Sequence, residues 1–536
     1  MSAAKIDSSS PAQTGGMARA AVIIAAGNIV SRVLGLARET VIANLFGATG
    51  LVSAFRVAQI IPTMLYDLLV GGMVSSALVP VLSEQAEKDR TELWHVVSLL
   101  LSLAVIVLGA VVLALELAAP QVAYLLAGGF SPELLVITTR LIRLTTPAVI
   151  FLGLSGVITG LLYALRRFAL PAFTAAAFNA AIVSVALIGV SVFHWGIEAL
   201  AAGLLLGAIL QVAMQLPGLK DGRLRFVLNL RHPVLRRIGR LYLPIILGLA
   251  ISQVAVALDR NFASRTGEQS IAWMQYATTV IQFPLGLIAA AISLAILPTL
   301  SRLAAAIDRE SSALNQFMDT LAAGLRLVLV LIIPATAALF VLARPVIALL
   351  FEHGDFTPAD TQQTALALRW YLAGLTFAAI DQPLIFAYYA RQNTLTPALV
   401  GLLGVGFYLA AALLPTLTRP MQMTDLVIAN SVQLTGHALV MLWLINRQSP
   451  LKGRGLGLTA AKALTAALVM GAALWLALPA LENFLLPNTL PAEAAQVAAL
   501  TLGGGVVYLA GLWLLRTPEL RLLTGLLRRF WPAQPA

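Results

Sequence analysis

No cysteine occurs among the 536 residues, which excludes disulfides and thiolate chemistry with metals or redox partners. Charge is scarce as well: Asp, Glu, Lys and Arg make up 11% of the chain, where a soluble domain carries about 25%. The five histidines are scattered among loops and helix ends, no GxxxxGK[ST] or HExxH occurs, and no carboxylate pair sits in a soluble domain. Glu352-His353-Gly354-Asp355 comes nearest to a metal cluster, but it occupies one short external turn and lacks a second set of ligands. These absences leave no catalytic constellation, no expected metal and no expected cofactor.

What the chain has in abundance is apolar sequence, 59% hydrophobic residues with a mean hydropathy of +0.89. At about 20 apolar residues per crossing, it divides into fourteen helices with approximate spans 20–46, 52–84, 92–118, 133–164, 170–193, 196–218, 239–262, 272–302, 315–342, 360–390, 396–416, 425–446, 459–482 and 493–516. The expected fold class is therefore an all-α polytopic membrane protein. Several spans exceed the minimum and should tilt or kink, with Pro62, Pro147, Pro244, Pro284 and Pro383 as natural kink points. Residues 1–18 read as a disordered cytoplasmic tail, and the apolar run after Arg19 is too long for a cleaved signal segment.

The net charge of +11 raises the question of nucleic acid, but membrane topology supplies a simpler source. Loops after even-numbered helices hold eighteen arginines and lysines, whereas loops after odd-numbered helices hold Arg265, Arg344 and Arg419. That asymmetry places both termini and the even loops in the cytoplasm, in agreement with Arg521, Arg528 and Arg529 in the final tail. No nucleic-acid partner is expected.

An internal repeat is legible. Leu78-Val79-Pro80-Val81-Leu82-Ser83 recurs as Ile296-Leu297-Pro298-Thr299-Leu300-Ser301, and Tyr163-Ala164 with Pro171-Ala172 recurs as Tyr389-Ala390 with Pro397-Ala398. The offsets, 218 between Pro80 and Pro298 and 226 between Pro171 and Pro397, argue for a duplicated unit of six helices. Six is even, so both copies insert the same way up, as lobes in a parallel pseudo-two-fold repeat with the substrate site between them. The expected organisation is a tail at 1–18, an N-lobe at 19–218, a basic cytoplasmic linker at 219–240, a C-lobe at 241–446, two further helices within 447–516 and a basic tail at 517–536. The linker reads either as an amphipathic helix on anionic lipid, with Arg236, Arg237 and Arg240 contributing about 1 kcal/mol each, or as an ordinary positive-inside loop.

Chemistry then rests on the charges inside the membrane helices. In Ser31-Arg32-Val33-Leu34-Gly35-Leu36-Ala37-Arg38-Glu39, two arginines interrupt a spanning helix, each at a cost of about 2.5 to 3.5 kcal/mol unless a partner or water meets it. At about 100° per residue the two point roughly 120° apart. Arg140 and Arg143 in helix 4 share a face and can meet one anion. Arg56, Asp67 and Glu116 in the first half, and Asp259, Arg260, Asp319, Arg326, Arg369 and Asp381 in the second, complete the set. Arginine suits phosphate because its planar fork donates bidentately and stays charged. Some of these residues read equally as internal pairs, and Glu116, Asp319 and Arg369 sit near helix ends where they can reach the interface. Asp259, beside Arg260, is a candidate coupling-ion site for Na+ or H+, with an ion pair to a neighbouring helix as the alternative.

Taken with Phe46-Gly47-Ala48, Ala77-Leu78-Val79-Pro80, Arg167-Phe168 with Pro171-Ala172-Phe173, Asp259-Arg260 with Ala263-Ser264, Phe283-Pro284-Leu285-Gly286 and Tyr389-Ala390-Arg391-Gln392 with Thr396-Pro397, the helix-1 segment resembles the MurJ/MviN lipid II flippase family of the multidrug/oligosaccharidyl-lipid/polysaccharide exporter superfamily. The resemblance covers helices 1 to 12 in order. It implies an alternating-access carrier, not an enzyme, in the cytoplasmic membrane. Such a carrier moves a polyprenyl-diphosphate-linked glycan, the peptidoglycan precursor, to the outer leaflet, with the lipid tail in a groove that involves the two C-terminal helices. Arg32 and Arg38 match the two essential helix-1 arginines, and Asp259 lies on the helix where some members place a sodium-coordinating aspartate. The sequence departs from the family where the acidic residue opening helix 2 is Ser53, the helix-2 arginine is Tyr66 and the helix-8 arginine is Thr279. Arg56, Arg140, Arg143 or Arg260 then complete the substrate-binding set with Arg32 and Arg38, or the cargo is another lipid-linked oligosaccharide. A cation-coupled drug exporter and a structural member without transport are the remaining readings. The partners expected are the lipid-linked substrate and membrane lipids around a monomer, with transport driven by membrane potential, Na+ or H+.

Overall fold

The computed structural model describes residues 11–68, 73–451, 453–485 and 489–520. Every regular element among them is helical: α1 (Pro11–Phe46), α2 (Gly50–Tyr66), a π-helical stretch (Val74–Leu78) leading into α3 (Val79–Lys88), α4 (Arg90–Leu117), α5 (Ala119–Ala127), α6 (Pro132–Thr145), α7 (Ala148–Ala164), α8 (Ala169–Ser191), α9 (Glu198–Gln215) and α10 (Pro233–Ser264). There follow α11 (Ser270–Pro284), a second π-helical stretch (Leu285–Ala289), α12 (Ala290–Ala306), α13 (Ala313–Val341), α14 (Ala343–Phe351), α15 (Pro358–Ala390), α16 (Leu395–Leu413), α17 (Met423–Gln448), α18 (Leu456–Leu485) and α19 (Leu490–Leu514). Where described, each of the fourteen expected spans overlies helix, the span 133–164 being broken at 146–147, and among the described residues ten stretches are long and apolar enough to cross a membrane by length and composition alone.

Local chemistry sets several boundaries. Asp89 opens α4 by accepting the Thr91 N–H at 2.7 Å, and Thr357 with Asp360 forms a reciprocal capping box at the start of α15. Pro147 separates α6 from α7, and Pro284 precedes the second π-helical stretch, as expected where proline removes an intrahelical donor. Pro62 and Pro383 lie inside continuous helices.

The chain forms two compact units, 1–272 and 273–536. In the first, α8 packs along both α1 and α9, α2 along α6, and α7 along α4 and α9. The α8–α9 approach is made by Gly203 and Gly207: a Cβ there would lie 3.0 Å from Ile182 Cα and 3.0 Å from the Phe178 carbonyl oxygen. This is the small-xxx-small device by which membrane helices approach closely. A buried polar network ties α7 to α9, in which Gln215 donates to Ser155 at 2.7 Å, Ser155 to Gln211 at 3.2 Å and Thr159 to Gln215 at 3.1 Å.

Three features differ from the sequence reading. Residues 11–18, expected in a tail, form the first turns of α1, while 1–10 and 521–536 lie outside the described residues. α10, expected to open the second lobe, packs against α5 and the first π-helical stretch within the first unit. The basic linker is not a helix of its own: residues 223–229 run extended, and Arg236, Arg237 and Arg240 already belong to α10. The extended strap is pinned to α4, whose Ser98 and Ser102 hydroxyls accept the N–H groups of Arg225 at 3.1 Å and Val227 at 3.0 Å.

In the second unit, α15 packs against α13 and α17, α16 against α17, and α18 against α13 and α19. The repeat is more regular than the sequence motifs indicate. Short helices α5 and α14 occupy matching places, and a capped Ser131-Pro132 start recurs as Thr357-Pro358, 226 residues on. The same offset relates the first residues of α8 and α16, Ala169 and Leu395.

Candidate functional site

The charges of helix 1 are not isolated. Glu39, 1% exposed, accepts from Arg38 on its own helix, at 2.7 Å from Nη2 and 3.2 Å from Nε, and its other oxygen accepts from Arg56 Nη2 on α2. Arg56 also donates to Gln59 at 3.2 Å. On the far side, Arg38 Nη1 donates to Asn179 Oδ1 of α8 at 2.9 Å, and Asn179 Nδ2 donates to the Ser31 carbonyl at 3.1 Å. Two guanidinium groups and one carboxylate leave a net charge of +1. Burial decides which arginine can meet a ligand: Arg38 keeps 17% exposure and Arg56 only 4%. The shown bonds engage three of the five N–H groups of Arg38, leaving two for an oxyanion.

Arg38 and Arg56 are thus brought together around Glu39. Arg32 is exposed on α1. Arg140 is exposed and pairs with Glu198 in the first turn of α9 at 3.1 Å, and Arg143, also exposed, interacts electrostatically with Glu116 of α4. Asp259 and Arg260 are half-buried on α10. Ser53, which the resemblance sets against an acidic position, is buried and accepts the Ala272 N–H at 3.2 Å. Arg326 is held by Glu519, with Nε 2.7 Å from Oε1, and Thr459 donates to the same oxygen at 3.2 Å, so it binds α13 to the chain that follows α19.

Sequence reasoning missed Asn179 and gave Glu39 no role. The signal for Glu39 was present, because two buried arginines on adjacent helices require an anion. Asn179 had none beyond being a lone amide in an apolar helix.

Fold and site together define an all-helical, multi-pass membrane carrier of two repeated units with a cationic centre on its first helix. The sequence matches the family profile described as "Lipid II flippase MurJ" over residues 42–494. The chain belongs to the lipid II flippase MurJ family. It is 32% identical over 396 residues to the lipid II flippase MurJ of Burkholderia cenocepacia, covering 72% of this chain and 75% of that one. It is 30% identical over 480 residues to the "Probable lipid II flippase MurJ" of Haemophilus influenzae, covering 85% and 92%. Among solved structures, a lipid II flippase MurJ in an inward closed conformation superimposes with a TM-score of 0.74 at 22% identity, covering 92% of this chain and 99% of that one. An inward-facing multidrug resistance MATE family transporter of the MOP superfamily gives 0.64 at 16% identity, covering 79% and 95%. These two likenesses concern the fold.

Proposed function

We propose that this protein is a transporter that moves lipid II from the inner to the outer leaflet of the cytoplasmic membrane by alternating access, its diphosphate met by arginines of the first unit. Family membership supports the cargo, and one observation carries the chemistry. Arg38 is held in orientation by Glu39 and Asn179 while retaining exposure and two uncommitted N–H groups, the geometry in which guanidinium binds phosphate oxygens bidentately. Arg32, Arg140, Arg143 and Arg260 are proposed to complete the cationic surface. Arg56 acts through Glu39 as a positioning residue. Both termini and the even-numbered loops face the cytoplasm, the polyprenyl tail follows α18 and α19, and the protein works as a monomer among membrane lipids, with no nucleic acid involved.

The test is complementation of a cell depleted of its lipid II flippase. The wild-type chain restores growth, whereas Arg32→Ala and Arg38→Ala at normal expression do not. Rescue by either variant removes that residue from the mechanism. Failure of the wild type points to the second reading, another polyprenyl-diphosphate-linked oligosaccharide, which Tyr66 and Thr279 at two family arginine positions favour. Coupling to membrane potential, H+ or Na+ is part of the proposal. Asp259 is its candidate from sequence, and the second unit holds a carboxylate that faces a histidine.

A further inference from the structure

Asp381 of α15 and His437 of α17 face each other inside the second unit, with His437 Nδ1 2.8 Å from Asp381 Oδ2. The ring packs on α16 near the Pro397 carbonyl, with its Nε2 turned toward Gly401 of the same helix. Oxygen atoms therefore lie close to the imidazole on its α15 and α16 sides, surroundings that suit imidazolium, with two N–H donors, better than the neutral ring. Among the described residues neither His437 Nδ1 nor the other carboxylate oxygen, Oδ1, has an aligned hydrogen bond, although both are buried, and Asp381 as a whole is 8% exposed. A buried carboxylate oxygen without an aligned donor is a ready acceptor for a proton.

Few other charges bear on the pair. On α15, Tyr389 interacts electrostatically with Asp381, Asp360 caps the helix start, and Arg369 donates to the Phe340 carbonyl. Arg391 follows the helix end. α16 contributes Tyr408 and no charged residue. On α17, Asp425 is taken by Arg419 and Arg447 lies over Trp443. On α13, Asp319 pairs with Arg454 and Arg326 with Glu519, while α12 and α14 carry Arg302 and Arg344. Along α15 the nearest charged residues, Arg369 and Arg391, are 12 and 10 positions from Asp381, about 18 and 15 Å in rise.

We propose that Asp381 and His437 form the proton-binding site through which this protein couples transport to proton movement. The proposal rests on the transport reading above. With one proton the pair is neutral, as carboxylate and imidazolium. Uptake of a second proton at Oδ1 from hydronium forms one O–H bond on the carboxyl, breaks one on the donor and leaves a net charge of +1; loss of the imidazolium proton to water leaves −1. Either charged state is costly inside a packed membrane bundle, so each favours a rearrangement between α15 and α17 that the neutral pair opposes. Asp381 lies nine residues before the end of α15 at Ala390 and 23 after its start at Pro358, about 13 Å against about 34 Å in rise. The proton therefore exchanges on the side of the α15–α16 turn.

The experiment uses the purified full-length chain in two arms. In the first, infrared spectra are recorded from pH 9 to pH 4. In the wild-type minus Asp381→Asn difference spectrum a protonated-carboxyl band grows as the pH falls, and its midpoint is displaced by about one pH unit or more in His437→Gln. In the second, lipid II translocation in proteoliposomes is measured with and without an imposed pH gradient. The gradient changes the wild-type rate about tenfold, a barrier change of about 1.4 kcal/mol, and changes that of either variant by less than about twofold. No buried carboxyl titrating in the wild type overturns the proposal whether or not the variants fold, as does translocation indifferent to pH or driven by Na+ alone. A titrating Asp381 in a protein that does not move lipid II keeps the proton site and rejects the cargo.

Discussion

Asn179 of α8 bridges two turns of α1: its Oδ1 accepts from Arg38 at 2.9 Å and its Nδ2 donates to the Ser31 carbonyl at 3.1 Å. Gly35 lies between those positions, where a Cβ would sit 3.6 Å from the amide nitrogen. One side chain thus fixes the register of α1 on α8 and the direction of the Arg38 fork. Asn179→Ala is expected to lower lipid II flipping tenfold or more, at a stability cost of about 1 to 3 kcal/mol for the groups left unpaired. Flipping rates in proteoliposomes and melting in detergent separate the two effects. Wild-type flipping in this variant would remove the amide from the mechanism.

Glu39 should matter more for stability than the arginine it presents. Glu39→Gln removes the carboxylate that faces Arg56, 4% exposed, and breaking a buried pair from one side costs about 3 to 5 kcal/mol. Replacing both partners, in Glu39→Gln with Arg56→Met, removes the stranded charge and is expected to recover part of that loss. A double-mutant cycle on thermal unfolding reads the coupling. Additivity of the two substitutions contradicts the pairing.

The sequence revealed the helical segments because a membrane span is a long apolar run, and such runs survive any tertiary arrangement. It did not reveal α5 and α14, nine residues each, which are too short to register as crossings. Yet the Ser131-Pro132 and Thr357-Pro358 starts that follow them carried an N-cap signal. The linker was misjudged for another reason: Arg236, Arg237 and Arg240 belong to α10, and a basic run does not mark where a helix begins. At the site, burial cost marked Arg38 as a charge needing a partner, and Glu39 and Asn179 stand beside it. The identity of that partner on α8 depends on helix packing, which no local pattern encodes.

Packing of α8 on α9 offers a test independent of charge. Gly203 and Gly207 lie one turn apart against Ile182 and Phe178, so Gly207→Leu forces the helices apart and Gly207→Ala requires a smaller shift. Overpacking of this kind typically costs about 1 to 3 kcal/mol. Melting temperature is expected to fall in the order glycine, alanine, leucine. A leucine variant as stable as the wild type would show that the two helices are not held at this distance.

The strap over 223–229 depends on two hydroxyls. Ser98 and Ser102 are buried on α4, and their oxygens accept the N–H groups of Arg225 and Val227, while Leu224, Phe226, Leu228 and Leu230 point outward and are exposed. An extended segment has no helical partner for its backbone, so beside a membrane helix these serines take the place of water. Ser98→Ala removes the acceptor for Arg225 and Ser102→Ala that for Val227. Each is expected to raise hydrogen exchange at its own amide by roughly tenfold, the equivalent of about 1.4 kcal/mol of local protection, with little change elsewhere in α4. Hydrogen-exchange mass spectrometry of the full-length protein in nanodiscs resolves the two sites. Acceleration confined to α4, with the strap unaffected, would mean that the serines stabilise their own helix and do not anchor the strap.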